Sequence, residues 1–254
     1  MSEVEIRRAV RDRYSKLAMS QESSCCAGFA DICSFDCTEV EINNPVPTEA
    51  SSIGAGCGSP LTLVSIGEGD VVLDLGSGGG MDVFRASQLV GDTGRAIGVD
   101  ATPEMVWRAR ETRAKYGAKY ASAEIRLGEI EHLPVGSESV DYVISNCVIN
   151  LSPDKPAVFR ESYRVLKDAG TFAVADVTLQ NEIGEEARKD MDSWSACIAG
   201  ALTDSDYKTK LLAAGFVDVQ IKHVSDSNIG EFPFKYYSSH ITARKPASGT
   251  STAR

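Results

Sequence analysis

The sequence predicts an α/β fold in which a doubly wound, mostly parallel sheet is covered by helices. Three observations predict it: short apolar runs alternate with helical segments from residue 70 onward, the first run ends in a glycine-rich turn, and an acidic residue ends the second run. Strands that alternate with helices form parallel sheets, because each crossover brings the chain back in the same direction. The 254 residues are enough to bury a sizeable core.

Five predicted strands follow one another in the middle of the chain. They cover residues 71–75, 96–100, 124–127, 140–145 and 171–177. Residues 71–75 form a short apolar run of the kind found in strands that are buried on both faces. Helices are predicted between them, through Phe84 to Val90, from Thr102 onward, and over Pro156–Leu166 with its end marked by Gly170.

The flanking regions have a different texture. Residues 2–19 are predicted to be helical, residues 20–60 loop-rich, residues 182–201 and 207–214 helical, and residues 216–223 and 236–244 two late antiparallel strands. These patterns divide the chain into four parts. They are an N-terminal helix with a cysteine-rich loop (1–60), a sheet domain (61–180), a cap with closing strands (181–245) and a disordered tail (246–254).

Composition excludes several classes of function. The chain has 26 Lys and Arg against 36 Asp and Glu, a net charge of −10, which disfavours a nucleic-acid partner. No apolar run is long enough to span a membrane, and no apolar stretch follows the basic N-terminus as it would in a signal peptide. We therefore expect a cytoplasmic protein without a membrane partner. Seven cysteines in a reducing compartment make a disulfide framework unexpected.

The turn after the first predicted strand reads Asp74-Leu-Gly76-Ser-Gly78-Gly-Gly80. Glycines let the backbone approach a ligand and place helix N–H groups beside it. The dinucleotide fingerprint Gly-x-Gly-x-x-Gly fails here, because Met81 occupies its last glycine position. A glycine-rich turn that binds no ligand is the other explanation.

The spacing Asp-x-Gly-x-Gly-x-Gly resembles the first motif of class I methyltransferases. This resemblance implies S-adenosylmethionine (SAM) as cofactor and a Rossmann-like sheet closed by a reversed strand. It places Asp74, Gly76, Gly78 and Gly80 at the methionine portion of SAM. Asp100, at the end of the second strand, is expected to accept both ribose hydroxyls.

Four further residues are predicted to bind the cofactor. In class I methyltransferases the segment after the third strand contacts adenine, and the matching residues are Ile130 and Glu131. Met105 is a candidate for packing on the adenine, although a core methionine on a helix face is equally compatible with the pattern. Asn146, at the end of the fourth strand, completes the set.

A thiol is placed where the acceptor should lie. The fourth strand leads into Ser-Asn-Cys147-Val-Ile-Asn-Leu-Ser-Pro, and no histidine is near that strand end to act as a general base. If Cys147 stood alone, a small buried core residue would be the favoured explanation. Cys57, in a Gly-Cys-Gly loop, and Cys197, on the predicted 182–201 helix, come from separate segments that can converge on it. Three thiolates suit a soft trigonal centre such as trivalent arsenic, whereas zinc requires a fourth ligand.

These motifs together resemble the arsenite methyltransferases, over roughly Cys57 to Ala214. The Ser-Asn-Cys147-Val-Ile-Asn-Leu run is the most specific of them. By this resemblance Cys147 and Cys197 bind arsenic(III), Cys57 is the third catalytic thiol, and Cys25 or Cys26 is a fourth near the N-terminus.

The resemblance also implies a mechanism. Arsenite or methylarsenite arrives as a thiol conjugate and exchanges onto the protein thiolates, and the arsenic lone pair then takes the methyl group of SAM. Glutathione or thioredoxin resets the site by thiol exchange, and a monomer is expected. Oxidation to a pentavalent arsenical then follows, or is avoided by disulfide formation among the cysteines.

Some features stay open. Cys33 and Cys37 match no family position, and with Cys25 and Cys26 they are either surface thiols or a separate zinc or arsenic relay. Ala196 stands where some family members have an acidic residue. Two other functions remain possible on the residues alone. They are methylation of an organic small molecule, and arsenic binding without catalysis.

Overall fold

The computed structural model describes residues 2–19, 46–51, 58–195, 197–227 and 234–248. Its strands are β1 (Val71–Leu75), β2 (Arg95–Asp100), β3 (Ala123–Leu127), β4 (Val140–Asn146), β5 (Leu166–Leu179), β6 (Leu202–Thr203), β7 (Val217–Ser227) and β8 (Tyr236–Arg244). They form one sheet in the order β3-β2-β1-β4-β5-β8-β7, and the short β6 pairs with β5.

The helices connect and cover these strands. They are α1 (Glu3–Met19), α2 (Thr48–Ser51), α3 (Met81–Val90), α4 (Pro103–Tyr116), α5 (Lys155–Val165), α6 (Glu185–Arg188), α7 (Met191–Ser195) and α8 (Asp204–Ala213). Short 3₁₀ helices occupy Pro60–Leu63, Gly117–Tyr120 and Ile149–Leu151. Within the described ranges, no helix is both long enough and apolar enough to cross a membrane.

The sheet is mostly parallel. β1 pairs in parallel with β2 and β4, β2 with β3, and β4 with β5. β8 runs antiparallel to both β5 and β7. The predicted α/β class and the reversed closing strand are therefore confirmed, and both late strands belong to the main sheet.

The core lies on both faces of the sheet. Side chains alternate along β1, so Leu73 and Leu75 pack with Val143 and Phe172 on one face. Val72 packs with residues of α3 on the other face. Because helices cover both faces, the central strands β1 and β2 are buried at every position after the first. The carboxyl ends of the parallel strands are left to form a site.

Two sequence expectations for local structure are wrong. Helix α5 ends at Val165, and β5 already begins at Leu166, so Gly170 lies inside a strand, where the pairing with β4 shifts register. The predicted helix over 182–201 is replaced by the short helices α6 and α7 and a following turn. The apolar spacing of that segment suits a helix, but the backbone turns left-handed at Cys197, which has φ +65° and ends the helix.

Several predictions fall outside the described residues. They concern Cys25, Cys26, Cys33, Cys37, Cys57, Ala196 and most of the tail. Residues 246–248 of the tail are described, and the Ser248 backbone N–H donates to Asp168 Oδ2 at 3.1 Å.

Candidate functional site

A cavity of about 380 Å³ opens at the carboxyl ends of β1, β2 and β4. This volume falls within the usual range of small-molecule sites, roughly 300–1,000 Å³. The residues predicted to bind the cofactor that line it are Asp74, Gly76, Gly78, Asp100, Met105, Ile130, Glu131 and Asn146, and Cys147 lines it beside them. One edge of a parallel sheet therefore brings together nearly the whole predicted set.

The glycines of the turn have different reasons for being glycine. A Cβ on Gly76 would lie 2.4 Å from both Cγ atoms of Val148, so the turn packs directly on the residue after Cys147. A Cβ on Gly78 would meet no atom within 4 Å, because this glycine faces the cavity. Gly80 does not line the cavity. A Cβ there would lie 2.9 Å from the Phe84 ring, so its position is set by packing.

The Asp100 carboxylate accepts two backbone hydrogen bonds, one of them from the glycine turn. Its Oδ2 accepts from the Gly78 N–H at 2.9 Å and its Oδ1 from the Thr102 N–H at 2.8 Å. Burial raises the pKa of Asp100, while these N–H groups lower it. Each carboxylate oxygen has a second lone pair, so Asp100 can hold the turn and still accept a ligand hydroxyl.

Three buried carboxyl groups meet at the cavity: Asp74, Asp82 and Asp100. Burial raises the pKa of Asp74 well above its usual range, and the charges of Asp82 and Asp100 raise it further. Burial also raises the pKa of Asp82, against the effect of Arg85 and of a hydrogen bond from Asn146. A cationic ligand would relieve this repulsion. SAM carries a sulfonium and an ammonium group, so the carboxylates fit it. A role for Asp82 was not predicted from the sequence.

The N-terminal helix closes one side of the cavity. Val4, Arg7, Arg8, Val10, Arg11 and Tyr14 of α1 line it. Arg7 Nη1 lies 3.0 Å from Glu131 Oε1 and 3.0 Å from Glu129 Oε2. Ser152 Oγ also donates to Glu131 Oε1, at 2.6 Å. The sequence predicts this helix and leaves Tyr14 two roles, closing over SAM or packing on the helix face; in the structure Tyr14 lines the cavity.

Cys147 sits just beyond β4 in an unusual backbone conformation. Its φ is +55°, it is 7% exposed, and its N–H donates to the Ala175 carbonyl at 2.9 Å. Left-handed conformations are uncommon for residues with a side chain and concentrate at functional sites. Cys147 is disulfide-bonded, whereas Cys197 is not part of a disulfide. The expectation that the cysteines are unpaired thiols is therefore not met at Cys147.

Cys197 occupies the position after α7 at which helices commonly place glycine. Its N–H donates to the Trp194 carbonyl at 2.9 Å, and the Ile198 N–H donates to the Ser193 carbonyl at 3.0 Å. These bonds are those of a Schellman motif, with Cys197 as its left-handed residue.

The turn brings the two cysteines together. The Cys197 thiol donates to the Cys147 carbonyl at 2.6 Å, and both residues belong to one apolar cluster with Leu151 and Val177. Cys197 itself does not line the cavity and lies behind Cys147.

The third predicted thiol, Cys57, lies outside the described residues. Gly58, which follows it in sequence, is described, and its carbonyl accepts from Asn146 Nδ2 at 2.6 Å. Within the part of the chain that the structure describes, no three histidine, cysteine or carboxylate side chains are arranged to hold a metal ion.

A buried polar network supports the cysteine segments, and no sequence pattern predicts it. Asn150 Nδ2 donates to Asp176 Oδ1 and to the Val177 carbonyl, both at 2.8 Å. Burial raises the pKa of Asp176 to about 7. Burial lowers the pKa of Lys155 to about 8, against the opposing charge of Asp176. Such shifts are typical of functional sites as well as of structural ion pairs.

Comparisons with known proteins agree with this geometry. Residues 66–215 match the model of a methyltransferase domain. The chain is 41% identical to the arsenite methyltransferase of Halobacterium salinarum, over 96% of this chain and 67% of that protein. It is 34% identical to the arsenite methyltransferase of Aquipseudomonas alcaligenes, over 88% of this chain and 67% of that protein.

A solved structure supports the same relationship. The arsenic(III) S-adenosylmethionine methyltransferase from Chlamydomonas reinhardtii superposes with a TM-score of 0.70 at 34% identity, covering 80% of this chain and 72% of that one. Sequence and fold thus point to one group of proteins, and the chain belongs to the arsenite methyltransferase family.

Proposed function

We propose that this chain transfers a methyl group from SAM to trivalent arsenic held by cysteine thiolates, giving methylated arsenicals and S-adenosylhomocysteine. The observation that carries the proposal is the meeting of Cys147 and Cys197 at the end of β4, with Cys147 also lining the cavity. A thiolate pair beside a cofactor cavity can hold a soft substrate next to the reacting methyl group. Detoxification of arsenic is the corresponding biological role.

The cavity residues bind and orient the cofactor. When bound, SAM supplies a methyl group already activated by its sulfonium charge. Gly78 gives the ligand room, Asp100 accepts ribose hydroxyls, and Asp74 and Asp82 offset the positive charge. Met105 and Ile130 are buried and provide apolar surface for the adenine. Helix α1 covers the site and excludes water, which strengthens these electrostatic interactions.

The cysteines bind the substrate. Arsenite or methylarsenite reaches the site as a thiol conjugate. Each protein thiolate forms one As–S bond as one carrier As–S bond breaks, and the carrier leaves as a thiolate that takes its proton from solvent. Cys147 must first be a thiolate, so its disulfide is opened by a reductant such as glutathione or thioredoxin, which is itself oxidised. The proposal includes Cys57 as the third thiolate and Cys26 as a fourth. It also includes a cytoplasmic location, a monomeric state and a cap formed by residues 181–245.

The test is methyl transfer from labelled SAM to arsenite in the presence of glutathione or thioredoxin. We expect Cys147→Ser and Cys197→Ser each to abolish methylated arsenicals, because a serine oxygen is a poor ligand for arsenic(III). Calorimetric SAM affinity should stay within about twofold of wild type, a difference well under 1 kcal/mol. Cys33→Ser is the matched control and should keep full activity.

Three results would contradict parts of the proposal. Retained methylation in either variant would remove that cysteine from the ligand set. SAM binding without any arsenical product from the wild type would point to an organic acceptor. Tight arsenite binding without methyl transfer would point to a sequestering protein.

A further inference from the structure

A buried ammonium group lies beneath the turn that follows Cys147. Lys155, the first residue of α5, is 6% exposed, and its Nζ donates to the carbonyls of Asn150 at 3.2 Å and Ser152 at 2.8 Å. Burying a charge costs free energy unless the charge is hydrogen-bonded or paired. The groups that a buried lysine binds therefore indicate its structural role. Here both of its acceptors belong to the short turn directly after Cys147.

The carbonyl between these two is bound from the other cysteine segment. Trp194 Nε1 donates to the Leu151 carbonyl at 3.1 Å, and the Lys155 ammonium lies 5.2 Å from the centre of the Trp194 ring. Three consecutive carbonyls, at 150, 151 and 152, are thus held by one lysine and one tryptophan. The same tryptophan accepts from the Cys197 N–H through its own carbonyl.

The two segments also touch backbone to backbone. A Cβ on Gly200 would lie 2.0 Å from the Asn150 carbonyl oxygen, so any larger residue there would push the segments apart. The same two segments are joined again by the hydrogen bond from the Cys197 thiol to the Cys147 carbonyl. The relative position of the two cysteines is therefore determined by the contacts between these segments.

We propose that Lys155 and Trp194 are positioning residues that join the Cys147 turn to the Cys197 turn and hold the two thiols at the separation at which one arsenic atom binds both. The inference rests on the proposed function, since it concerns the same arsenic site. Neither side chain touches the reacting atoms. The pair acts as a clamp, defined here as the Lys155 ammonium, the Trp194 indole and the three carbonyls they hold.

The proposal is tested with Lys155→Met, which keeps the aliphatic length and loses the donors, and with Trp194→Phe, which keeps a ring and loses only the indole N–H. Arsenite binding is measured on the reduced, SAM-free protein through the near-ultraviolet absorption of arsenic–thiolate bonds. We expect binding about two- to tenfold weaker for Trp194→Phe, the size of one lost hydrogen bond. For Lys155→Met we expect a loss of about tenfold or more.

Three comparisons separate positioning from general stability. SAM affinity should stay at the wild-type value in both variants, and the KM for arsenite should rise more than kcat falls. The double variant should lose less than the product of the single losses, because the two side chains act on the same turn. The half-buried Lys167, which pairs with Asp141, and the exposed Trp107 supply matched controls, and Lys167→Met and Trp107→Phe should bind arsenite as the wild type does.

The outcomes are distinct. Unchanged arsenite absorption in a folded Trp194→Phe or Lys155→Met variant would overturn the clamp. An equal loss of SAM and arsenite binding would also overturn it, since that result indicates a global defect. If Lys155→Met does not fold, Trp194→Phe alone decides. Arsenite binding by the wild type without methylation would refute the proposed function, while the binding comparison would still decide the clamp.

Discussion

Replacing Gly76 or Gly78 of the same turn by alanine should have different effects, mainly on stability for Gly76 and mainly on SAM affinity for Gly78. An added Cβ on Gly76 would lie 2.4 Å from both Cγ atoms of Val148, whereas carbon atoms in contact lie about 3.5–4.0 Å apart. Val148 or the turn must therefore move by about 1 Å, and overpacking of this kind costs about 1–3 kcal/mol. The left-handed φ of +66° adds about 1–2 kcal/mol for any residue with a Cβ.

Gly78→Ala is the matched variant. Its φ of +51° carries the same conformational cost of about 1–2 kcal/mol, but its Cβ meets no atom within 4 Å. The methyl group enters the cavity instead. We expect Gly76→Ala to lose about 2–5 kcal/mol of unfolding free energy. Gly78→Ala should lose about 1–2 kcal/mol and bind SAM about tenfold more weakly or worse.

Urea denaturation measures the stability difference, and titration calorimetry measures SAM affinity. Equal unfolding free energies for Gly76→Ala and Gly78→Ala would contradict the expected clash, because the contact with Val148 would then cost nothing. Wild-type SAM affinity in Gly78→Ala would show that the turn does not face the cofactor.

Three further predictions concern the carboxylates. Asp176→Asn should gain stability relative to wild type as pH rises from 5 to 7. The reason is that folded Asp176 keeps its proton to about pH 7, whereas the unfolded carboxyl releases it near about 3.9. Urea denaturation series in which both proteins show the same pH dependence would contradict this. Asp100→Ala leaves the Gly78 and Thr102 N–H groups without their acceptor, so calorimetry should show SAM binding weakened by about 1–3 kcal/mol, and unchanged affinity would argue against the role. Asp82→Asn should weaken SAM about five- to tenfold more than S-adenosylhomocysteine, which lacks the sulfonium charge; equal losses for both ligands would show that charge is not what Asp82 supplies.

The sheet could be predicted because its signals are local. β1 is a short apolar run, the strands after it alternate with helical segments, and the glycine turn and Asp100 mark where β1 and β2 end. The rule that parallel strands meet at one edge then brings Asp74, Asp100 and Cys147 to one cavity without further information.

The remaining features depend on contacts between distant segments. The apolar spacing of residues 182–201 predicts a long helix, and only tertiary packing shows that it breaks so that Cys197 reaches Cys147. Lysine is a residue type usually found on the surface, and Lys155 is buried beside Trp194, which lies 39 positions away in the sequence. A side chain whose partner is that far along the chain leaves no local pattern to detect.

The left-handed backbone at Cys147 and Cys197 sets a limit for protein engineering. Glycine would relieve the strain at both positions, so a search for heat resistance guided by backbone energies alone would favour glycine there. Such a variant would lose both sulfur atoms, and with Cys147 the disulfide that this residue forms. Libraries built to stabilise this chain should therefore keep these two positions fixed and place their substitutions elsewhere in the scaffold.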